Sequence, residues 1–366
     1  MKILIVGILH KKYDKRVFRT VKALSKAGEV TYVYWTEDKN EKPYSENNVK
    51  FIPLYHKLCK ISLAEAKKRI SYEKKLVKIL EMENYDILYL HHVANFFPKA
   101  PYKIGKKKNA TIVTDFHEYI TENYWSSLQD IFPNQLIGKQ IFRYLVRNSH
   151  MGIFVSQSII NEALNFNENL KALCLSNYSN INITDIDLER KKKKKNIIFV
   201  GGMKRDLSYE IEVMKYLARE GFEFTTIGVR YDLDFAKYIP FLPYNEMMKE
   251  LSKATFSLVS YSPYSCNKKL LKSYVYSMPN KFFDSVGAVT PVIIREEFTE
   301  MKEYVDKYKV GVVIPTDDPK KAAKKIEKTY SLHYESLLEN IRKHKEHFLW
   351  TTKKEEEFLN FIISSI

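Results

Sequence analysis

A short segment in the last quarter of the chain combines the groups that bind a phosphate. Pro279 fits the first turn of a predicted helix and Ser277 is placed to cap it, which leaves backbone N–H groups there to attract an anion. Lys281 adds a full positive charge, and Asn280 and Asp284 lie on neighbouring faces of the same helix. Asp284 is about 6 Å further along the axis than Asn280, a distance that suits hydroxyl groups beside the phosphate. An ordinary amphipathic helix is the alternative interpretation.

Apolar strands alternate with helical segments along the chain, which is the pattern of doubly wound parallel sheets. In the phosphate-binding segment itself, Gly287 and Pro291 end the helix and admit a buried strand. Two sets of strands imply an α/β protein with two Rossmann-like domains that face a cleft. The first set comprises residues 3–6, 30–35, 87–90, 111–114 and 153–155, and the second comprises 197–200, 224–227, 256–259, 292–294 and 310–313.

Glycines and cations follow the strands of the second half, where ligands bind open α/β sheets. Gly201 and Gly202 come directly after a strand, and their missing side chains allow the backbone to approach a diphosphate. Lys204 or Arg205 would then neutralise it, and the sequence does not decide between the two. Arg230 follows the next strand. Solvated charges are the alternative for all three cations.

Four polar residues follow strands of the first half. Asp14 and Arg16 lie in the loop after the first strand, where they either bind an acceptor or cap the next helix. Asp115 and His117 end another strand just before a predicted helix start, a location where catalytic groups collect. A hydrogen-bonded histidine in a turn is the alternative for His117. Three other histidines fall at or near strand ends, and the last two are expected to flank their strand rather than catalyse: His10, His91 and His92.

Several segments, in a consistent order, carry a family resemblance. SMPNKFFDSVGAVTPVI is similar to a signature of the form P-x-K-x-x-E followed by P-V-I, KILIVGILHKKYDKRVF to an opening strand with a D-x-R-V loop, and TIVTDFHEYITE to a D-x-H-E strand end. MGIFVSQSIINEAL, CLSNYSN and IIFVGGMKRDLSYEIEVMKYL match later segments. Together they resemble the retaining GT-B glycosyltransferases of the sucrose-synthase-like and mannosyltransferase-like group, over almost the whole chain.

The resemblance implies a GT-B fold in which the two domains bind different substrates. Residues 1–180 would form the acceptor domain, with a terminal helix at about 348–366 packing back on it, and residues 181–347 the nucleotide-sugar donor domain. The implied reaction moves a sugar from a nucleoside-diphosphate sugar, expected to be a UDP-sugar, to a lipid-linked or polysaccharide acceptor with retention of configuration, in surface-glycan assembly. The implied catalytic residues are His117, Asp115, Asp14 and Arg16, and the implied donor-binding residues are Gly201, Gly202, Lys204, Arg205, Arg230, Pro279, Asn280, Lys281 and Asp284.

The same resemblance implies hexosyl transfer without a metal or another cofactor. Charge that grows on the departing phosphate would meet N–H groups and cations, while His117 orients sugar or acceptor. The pairs Asp185/Asp187 and Asp232/Asp234 suggest a metal-dependent transferase as the alternative. They fall in a predicted hinge and in a predicted helix-initiating loop, which favours solvated carboxylates. Tyr276 stands where many relatives carry a second acid.

The net charge of +16 over 366 residues predicts an anionic partner or surface. Lysines cluster with apolar residues at 64–80 and 99–108, which favours an anionic membrane surface, whereas the run at 190–195 is interpreted as a solvated linker. No apolar run reaches membrane-spanning length, so a cytoplasmic protein on the inner face of the membrane is expected. The three cysteines are isolated in sequence, which favours neither a disulfide framework nor a metal site.

The sequence is also compatible with two other functions. A GT-B nucleotide-sugar epimerase would need the same nucleotide site but no acceptor. A non-catalytic basic protein that binds anionic lipid or nucleic acid would need neither. No aromatic-basic motif of a nucleic-acid-binding protein is present in the sequence, so nucleic acid is not expected as a partner.

Overall fold

The structure, a computed structural model, describes residues 1–57, 63–91, 97–122, 132–184, 191, 194–265 and 268–364. The chain divides into two compact units. The first comprises Met1–Ser176 together with Thr352–Ile366, and the second comprises Asn177–Thr351. The predicted division lay a few residues away, at 180 and 347.

An eight-stranded sheet forms the centre of the first unit. Its strands are β1 (Lys2–Lys11), β2 (Glu29–Thr36), β3 (Tyr44–Glu46), β4 (Val49–Tyr55), β5 (Ile87–His91), β6 (Thr111–Phe116), β7 (Met151–Phe154) and β8 (Lys171–Cys174). They lie in the order β3-β4-β2-β1-β5-β6-β7-β8, and every neighbouring pair is parallel except β3 with β4. The central strands are buried along their length, as parallel strands covered on both faces are.

Helices connect these strands. They are α1 (Lys15–Leu24), α2 (Leu63–Met82), α3 (Ala100–Lys107), α4 (Phe132–Asn148) and α5 (Gln157–Leu164). Asp14 caps α1, because its carboxylate accepts from the backbone N–H groups of Arg16 at 3.2 Å and of Val17 at 3.3 Å.

The second unit has a six-stranded sheet in which all strands are parallel. The order is β11-β10-β9-β12-β13-β14. The strands are β9 (Asn196–Val200), β10 (Glu223–Ile227), β11 (Ala236–Ile239), β12 (Phe256–Leu258), β13 (Val292–Arg295) and β14 (Gly311–Ile314). The helices are α6 (Ser208–Arg219), α7 (Tyr244–Lys253), α8 (Lys272–Val275), α9 (Asn280–Gly287), α10 (Thr299–Tyr308) and α11 (Pro319–His344).

A short 3₁₀ helix, Lys345–Phe348, ends the second unit, and α12 (Thr352–Ile363) belongs to the first. The Phe358 ring of α12 lies 6.2 Å from that of Tyr89, and Glu355 pairs with Lys26. Among the helices that the structure describes, none has both the length and the apolar composition to span a membrane.

All ten predicted strands are present, and four further strands were missed: β3, β4, β8 and β11. β4 contains Pro53, and the other three strands have only three or four residues, so periodicity alone does not reveal them. The helix predicted directly after β6 is wrong, since residues 117–122 form bends and turns instead.

The lysine run at 190–195 is not a uniformly solvated linker, which corrects the prediction for Lys191. This side chain is 1% exposed, and its amine donates to the Ser252 carbonyl at 2.9 Å and to Thr290 Oγ1 at 2.7 Å. Burial lowers the pKa of the Lys191 amine well below its ordinary value of 10.5. Residues 190, 192 and 193 lie outside the described part of the chain.

Lys191→Met should change how stability depends on pH. Below pH 10.5 but above the folded-state pKa, the unfolded chain binds a proton at Lys191 that the folded chain does not, so wild-type stability rises with pH. Relative to the variant, the wild-type free energy of unfolding should gain up to about 1.4 kcal/mol per pH unit over the pH range between the lowered folded-state pKa and 10.5. Urea denaturation measures this, with Lys195→Met as the control from the surface end of the run. A difference that stays constant with pH would contradict the assignment.

Candidate functional site

In the first unit, polar side chains gather where β1, β5 and β6 end. β5 lies between the other two, and the register pairs Gly7 with His91 and His91 with Asp115. Because parallel strands end at the same edge of a sheet, His10 at the end of β1 and His117 just after β6 reach the same place. Sequence position alone predicted Asp115 and His117 there but gave His91 no role.

Asp115 is fully buried and held by two partners. The Arg16 guanidinium donates to its Oδ1 from Nε at 3.0 Å and from Nη2 at 2.7 Å, and the Tyr89 hydroxyl donates to Oδ2 at 3.0 Å. Arg16 also donates from Nη1 to the Leu175 carbonyl at 2.5 Å. Burial, the largest single effect, would raise the pKa of Asp115, but Arg16 together with His117 and His91 outweighs it and holds the pKa well below its ordinary value. The carboxylate therefore stays ionised.

Two histidines contact this carboxylate and each other. His91 Nδ1 lies 3.2 Å from Asp115 Oδ2 and 3.0 Å from His117 Nε2, so one of the two rings donates to the other. Burial lowers the pKa of His91, and that of His117 well below its ordinary value, so both rings are neutral near pH 7. The His117 side chain is 15% exposed, whereas that of His91 is fully buried. His117 therefore presents a neutral ring whose orientation His91 and Asp115 fix.

Of the four residues predicted to be catalytic, only two reach the surface of the unit. Arg16 is 3% exposed and Asp115 is fully buried, so neither side chain lies at the surface of the unit. Asp14 caps α1 and pairs with His10 Nδ1 at 3.2 Å. Burial acts to raise the pKa of Asp14, but the His10 and Val17 contacts lower it to about 2. Sequence reasoning missed two members of this cluster, Tyr89 in the middle of β5 and His91 at its end.

Ligand atoms of His91, Asp115 and His117 lie within 4.8 Å of one another, an arrangement that suits a metal ion. The Arg16 guanidinium, however, already neutralises the same carboxylate. A divalent cation there would meet a buried positive charge at close range, which is unfavourable. These contacts therefore support a role in orienting His117.

In the second unit, the predicted anion site lies at the start of α9. Pro279 is the residue that precedes the helix, and it provides no side-chain cap. The expected cap, Ser277, instead shares a hydrogen bond with the Tyr261 hydroxyl, which corrects that prediction. The first N–H groups of the helix, at Asn280 and Lys281, have no acceptor within the helix. They are consequently suited to an anion.

Lys281 and Arg205 share one aromatic ring beside this helix start. The Lys281 amine is half-buried, 4.3 Å from the Phe199 ring centre and 5.7 Å from that of Tyr261. The Arg205 guanidinium also lies 5.7 Å from the Tyr261 ring. Burial and then the charge of Arg205 lower the pKa of Lys281 to about 7, against the opposing charge of Glu210. An anion bound here would restore the charged amine.

The glycines after β9 and β10 permit a close approach of backbone. A Cβ at Gly201 would lie 3.0 Å from the Phe199 ring, and Gly228 has φ of +80° with its Cβ position 2.6 Å from the Gly201 carbonyl oxygen. At Gly202 a Cβ would meet nothing within 4 Å. At these glycines the surface is therefore formed by backbone atoms, with no side chain to keep a ligand at a distance.

The remaining predicted donor residues differ in how much of them is accessible. Lys204 is exposed, with its amine 5.7 Å from the Tyr231 ring, and the exposed Arg230 pairs with Asp232 at 3.4 Å. Asp284 is 3% exposed and accepts from the Tyr244 hydroxyl at 2.7 Å, so its carboxylate faces inward more than the helix pattern predicted.

One further prediction about this unit needs correction. Asp232 and Asp234 precede β11 and not a helix, while Asp185 and Asp187 lie outside the described residues. Helix α9 ends at Gly287, as predicted, and the left-handed conformation that follows belongs to Val289, with φ of 54°. Val289 occupies a backbone conformation that glycine normally provides.

No protein-family model and no curated protein matches the sequence. Solved structures do match over the whole chain. Sucrose-phosphate synthase from Thermosynechococcus elongatus is 12% identical and superposes with a TM-score of 0.72, covering 100% of both chains. Alr3699/HepE from Anabaena, in complex with UDP-glucose, is 10% identical with a TM-score of 0.66, again covering 100% of both. WaaG, a glycosyltransferase involved in lipopolysaccharide biosynthesis, is 10% identical with a TM-score of 0.62, covering 94% of this chain and 95% of its own.

The chain has the GT-B fold. The predicted fold class is thus confirmed, and at this level of identity the likeness concerns the fold alone. In a GT-B chain the two clusters described above lie in different Rossmann-like units, His117 in the first and Lys281 in the second.

Arg16→Met should destabilise this GT-B chain strongly. It leaves Asp115 charged and buried, which typically costs about 3–5 kcal/mol of unfolding free energy near pH 7. Without Arg16 the folded-state pKa of Asp115 rises, so the loss should shrink as the pH falls from about 7 to 5. Urea denaturation at both pH values measures the effect. Lys26→Met, which breaks an ion pair with Glu355 at the surface, is the matched control and should cost less than about 1 kcal/mol. Equal losses in the two variants would contradict a buried positioning role.

Proposed function

We propose that this protein is a glycosyltransferase that moves a sugar from a UDP-sugar to an acceptor hydroxyl. The observation that carries the proposal is the start of α9, where uncapped N–H groups lie beside Lys281 and Arg205 around the Tyr261 ring. Two cations and a helix N-terminus match the charge and the acceptor oxygens of a diphosphate. Of the two cations that the sequence left open, Arg205 is favoured over Lys204, because its charge acts on Lys281 directly.

The fold supports this choice of donor. The Anabaena protein that covers the whole chain was solved with UDP-glucose, and a further match of this fold from E. coli with UDP-2-fluoro glucose. A nucleoside-diphosphate sugar presents the diphosphate that the second unit suits and a sugar for transfer.

In the proposed reaction the bond from the anomeric carbon to the diphosphate oxygen breaks, and a bond to the acceptor oxygen forms on the same face of the sugar. The acceptor proton passes to the departing phosphate. Negative charge that grows on the leaving group meets the α9 N–H groups, Lys281 and Arg205. The chain's own cations thus supply the stabilisation that a metal would otherwise provide, and no other cofactor is needed.

In the first unit, His117 would orient the sugar or the acceptor. Its ring is neutral and partly exposed, and the ionised Asp115 and His91 fix its position. A neutral ring donates or accepts a hydrogen bond without adding charge.

For the acceptor we propose a lipid-linked sugar or a growing polysaccharide, at the inner face of the membrane in surface-glycan assembly. The net charge of +16 supports an anionic surface as a partner, and WaaG, which shares the fold, is involved in lipopolysaccharide biosynthesis.

Two variants should separate donor binding from transfer. Lys281→Ala should weaken UDP binding by about 1.5–3 kcal/mol through a lost charge-assisted contact, measured by calorimetric titration in EDTA. His117→Ala should bind UDP as the wild type does but release UDP from its sugar donor at least about tenfold more slowly. Lys204→Ala, an exposed neighbour, is the charge-matched control and should have the smaller effect on binding.

Three outcomes would contradict the proposal. A folded wild type that binds neither UDP nor GDP, nor their sugars, has no donor site. Loss of binding in His117→Ala with intact binding in Lys281→Ala would show that the units hold the opposite ligands. Conversion of the donor sugar to its epimer without any acceptor would favour the epimerase.

A further inference from the structure

Helices α3 and α4 carry several cations and no acidic residue of their own. Residues 99–108 and 132–148 contain no aspartate or glutamate. They contain eight cations, Lys99, Lys103, Lys106, Lys107, Lys108, Lys139, Arg143 and Arg147. Such a surface repels cations and attracts anionic groups of every kind.

Direct contacts hold the two helices side by side. Lys106 Nζ donates to Asn148 Oδ1 at 2.6 Å, and the Lys99 amine lies 5.1 Å from the Tyr144 ring centre. Between them is a pocket of about 240 Å³ that Lys99, Tyr144, Arg143 and Arg147 help to line. Three cations therefore face one small cavity, a geometry that suits a phosphate group.

Exposed apolar side chains lie on α4 before the residues of this basic pocket. Leu136 is 48% exposed and Ile137 is 37% exposed. Leu136 precedes Arg143 by two helical turns, about 10 Å along the axis. On α2, by contrast, Leu76 and Leu80 are buried, and the exposed apolar side chain among those described is Met82 at the end of the helix, between Glu81 and Glu83 rather than among the lysines.

We propose that α4, with the lysines of α3, is the surface through which this protein lies on an anionic membrane. Lys99, Arg143 and Arg147 contact lipid phosphates, and Leu136 and Ile137 enter the boundary between headgroups and acyl chains. The apolar pair favours a membrane over a polynucleotide, which offers no apolar layer. The inference rests on the proposed membrane-bound acceptor. From the sequence, the lysines at both 64–80 and 99–108 are expected to contact the membrane; the proposed surface keeps the second cluster, adds α4 and leaves out α2.

Vesicle flotation tests this assignment with full-length protein, using phosphatidylglycerol–phosphatidylcholine vesicles and pure phosphatidylcholine vesicles. Wild type should float with the anionic vesicles only. Arg143→Gln with Arg147→Gln should weaken that binding about 30-fold, as expected for two cations near an anionic surface. Lys74→Gln with Lys75→Gln removes equal charge from α2 and should weaken it less than about threefold. Leu136→Ser with Ile137→Ser should make the residual binding at about 0.5 M salt disappear.

Each variant is also titrated with UDP, which separates this inference from the proposed donor site. Unchanged UDP affinity beside lost flotation supports the α4 surface. Wild type that ignores anionic vesicles at low salt would overturn it, and so would equal losses from the α2 and α4 charge variants. Displacement from vesicles by polynucleotide in the wild type, with no effect of the Leu136 and Ile137 changes, would assign the surface to nucleic acid instead.

Discussion

Parallel strands bring their carboxyl ends to one edge of a sheet, and the candidate sites of both units depend on that constraint. In the first unit it places the end of β5 between the ends of β1 and β6, so His91 and Tyr89 meet Asp115 and Arg16. In the second unit β9 ends at Val200, just before Gly201, and the Phe199 ring of that strand packs against Lys281. Side chains distant in sequence become neighbours because the strands that precede them are neighbours.

The two sites differ in whether their buried ionisable group is charged in the free protein. In the first, the Asp115 carboxylate is paired with Arg16 and ionised, so it serves as a fixed support for two neutral histidines. In the second, Lys281 is half-buried beside another cation, and its charged form is disfavoured until an anion arrives. Perturbed ionisation of this kind is concentrated at functional sites, because a ligand of the right charge relieves it. The difference fits a rigid orienting site in one unit and a ligand-responsive one in the other.

Patterns of residue type predicted the fold well, because ten buried strands read directly as apolar runs. The α9 segment was likewise found from local rules for helix starts, although Pro279 rather than Ser277 precedes the helix. Local rules failed where tertiary packing decided the outcome. Lys191 lies in a run of lysines that composition assigns to solvent, yet it is buried against Ser252 and Thr290. His91 gained its role only from the strand order.

The central claim is that Lys281 receives a phosphate, and proton uptake on UDP binding tests it most directly. In the free protein the pKa of Lys281 is about 7, so at about pH 8 most of the amine is neutral. A bound diphosphate raises that pKa, so binding should take up close to one proton, and affinity should fall as the pH rises above 7. Calorimetry at about pH 8 in buffers of different ionisation enthalpy counts the protons, with EDTA present and Lys281→Met as the control. The account predicts uptake in the wild type that the variant lacks, and UDP binding without proton uptake, or equal uptake in both proteins, would contradict it.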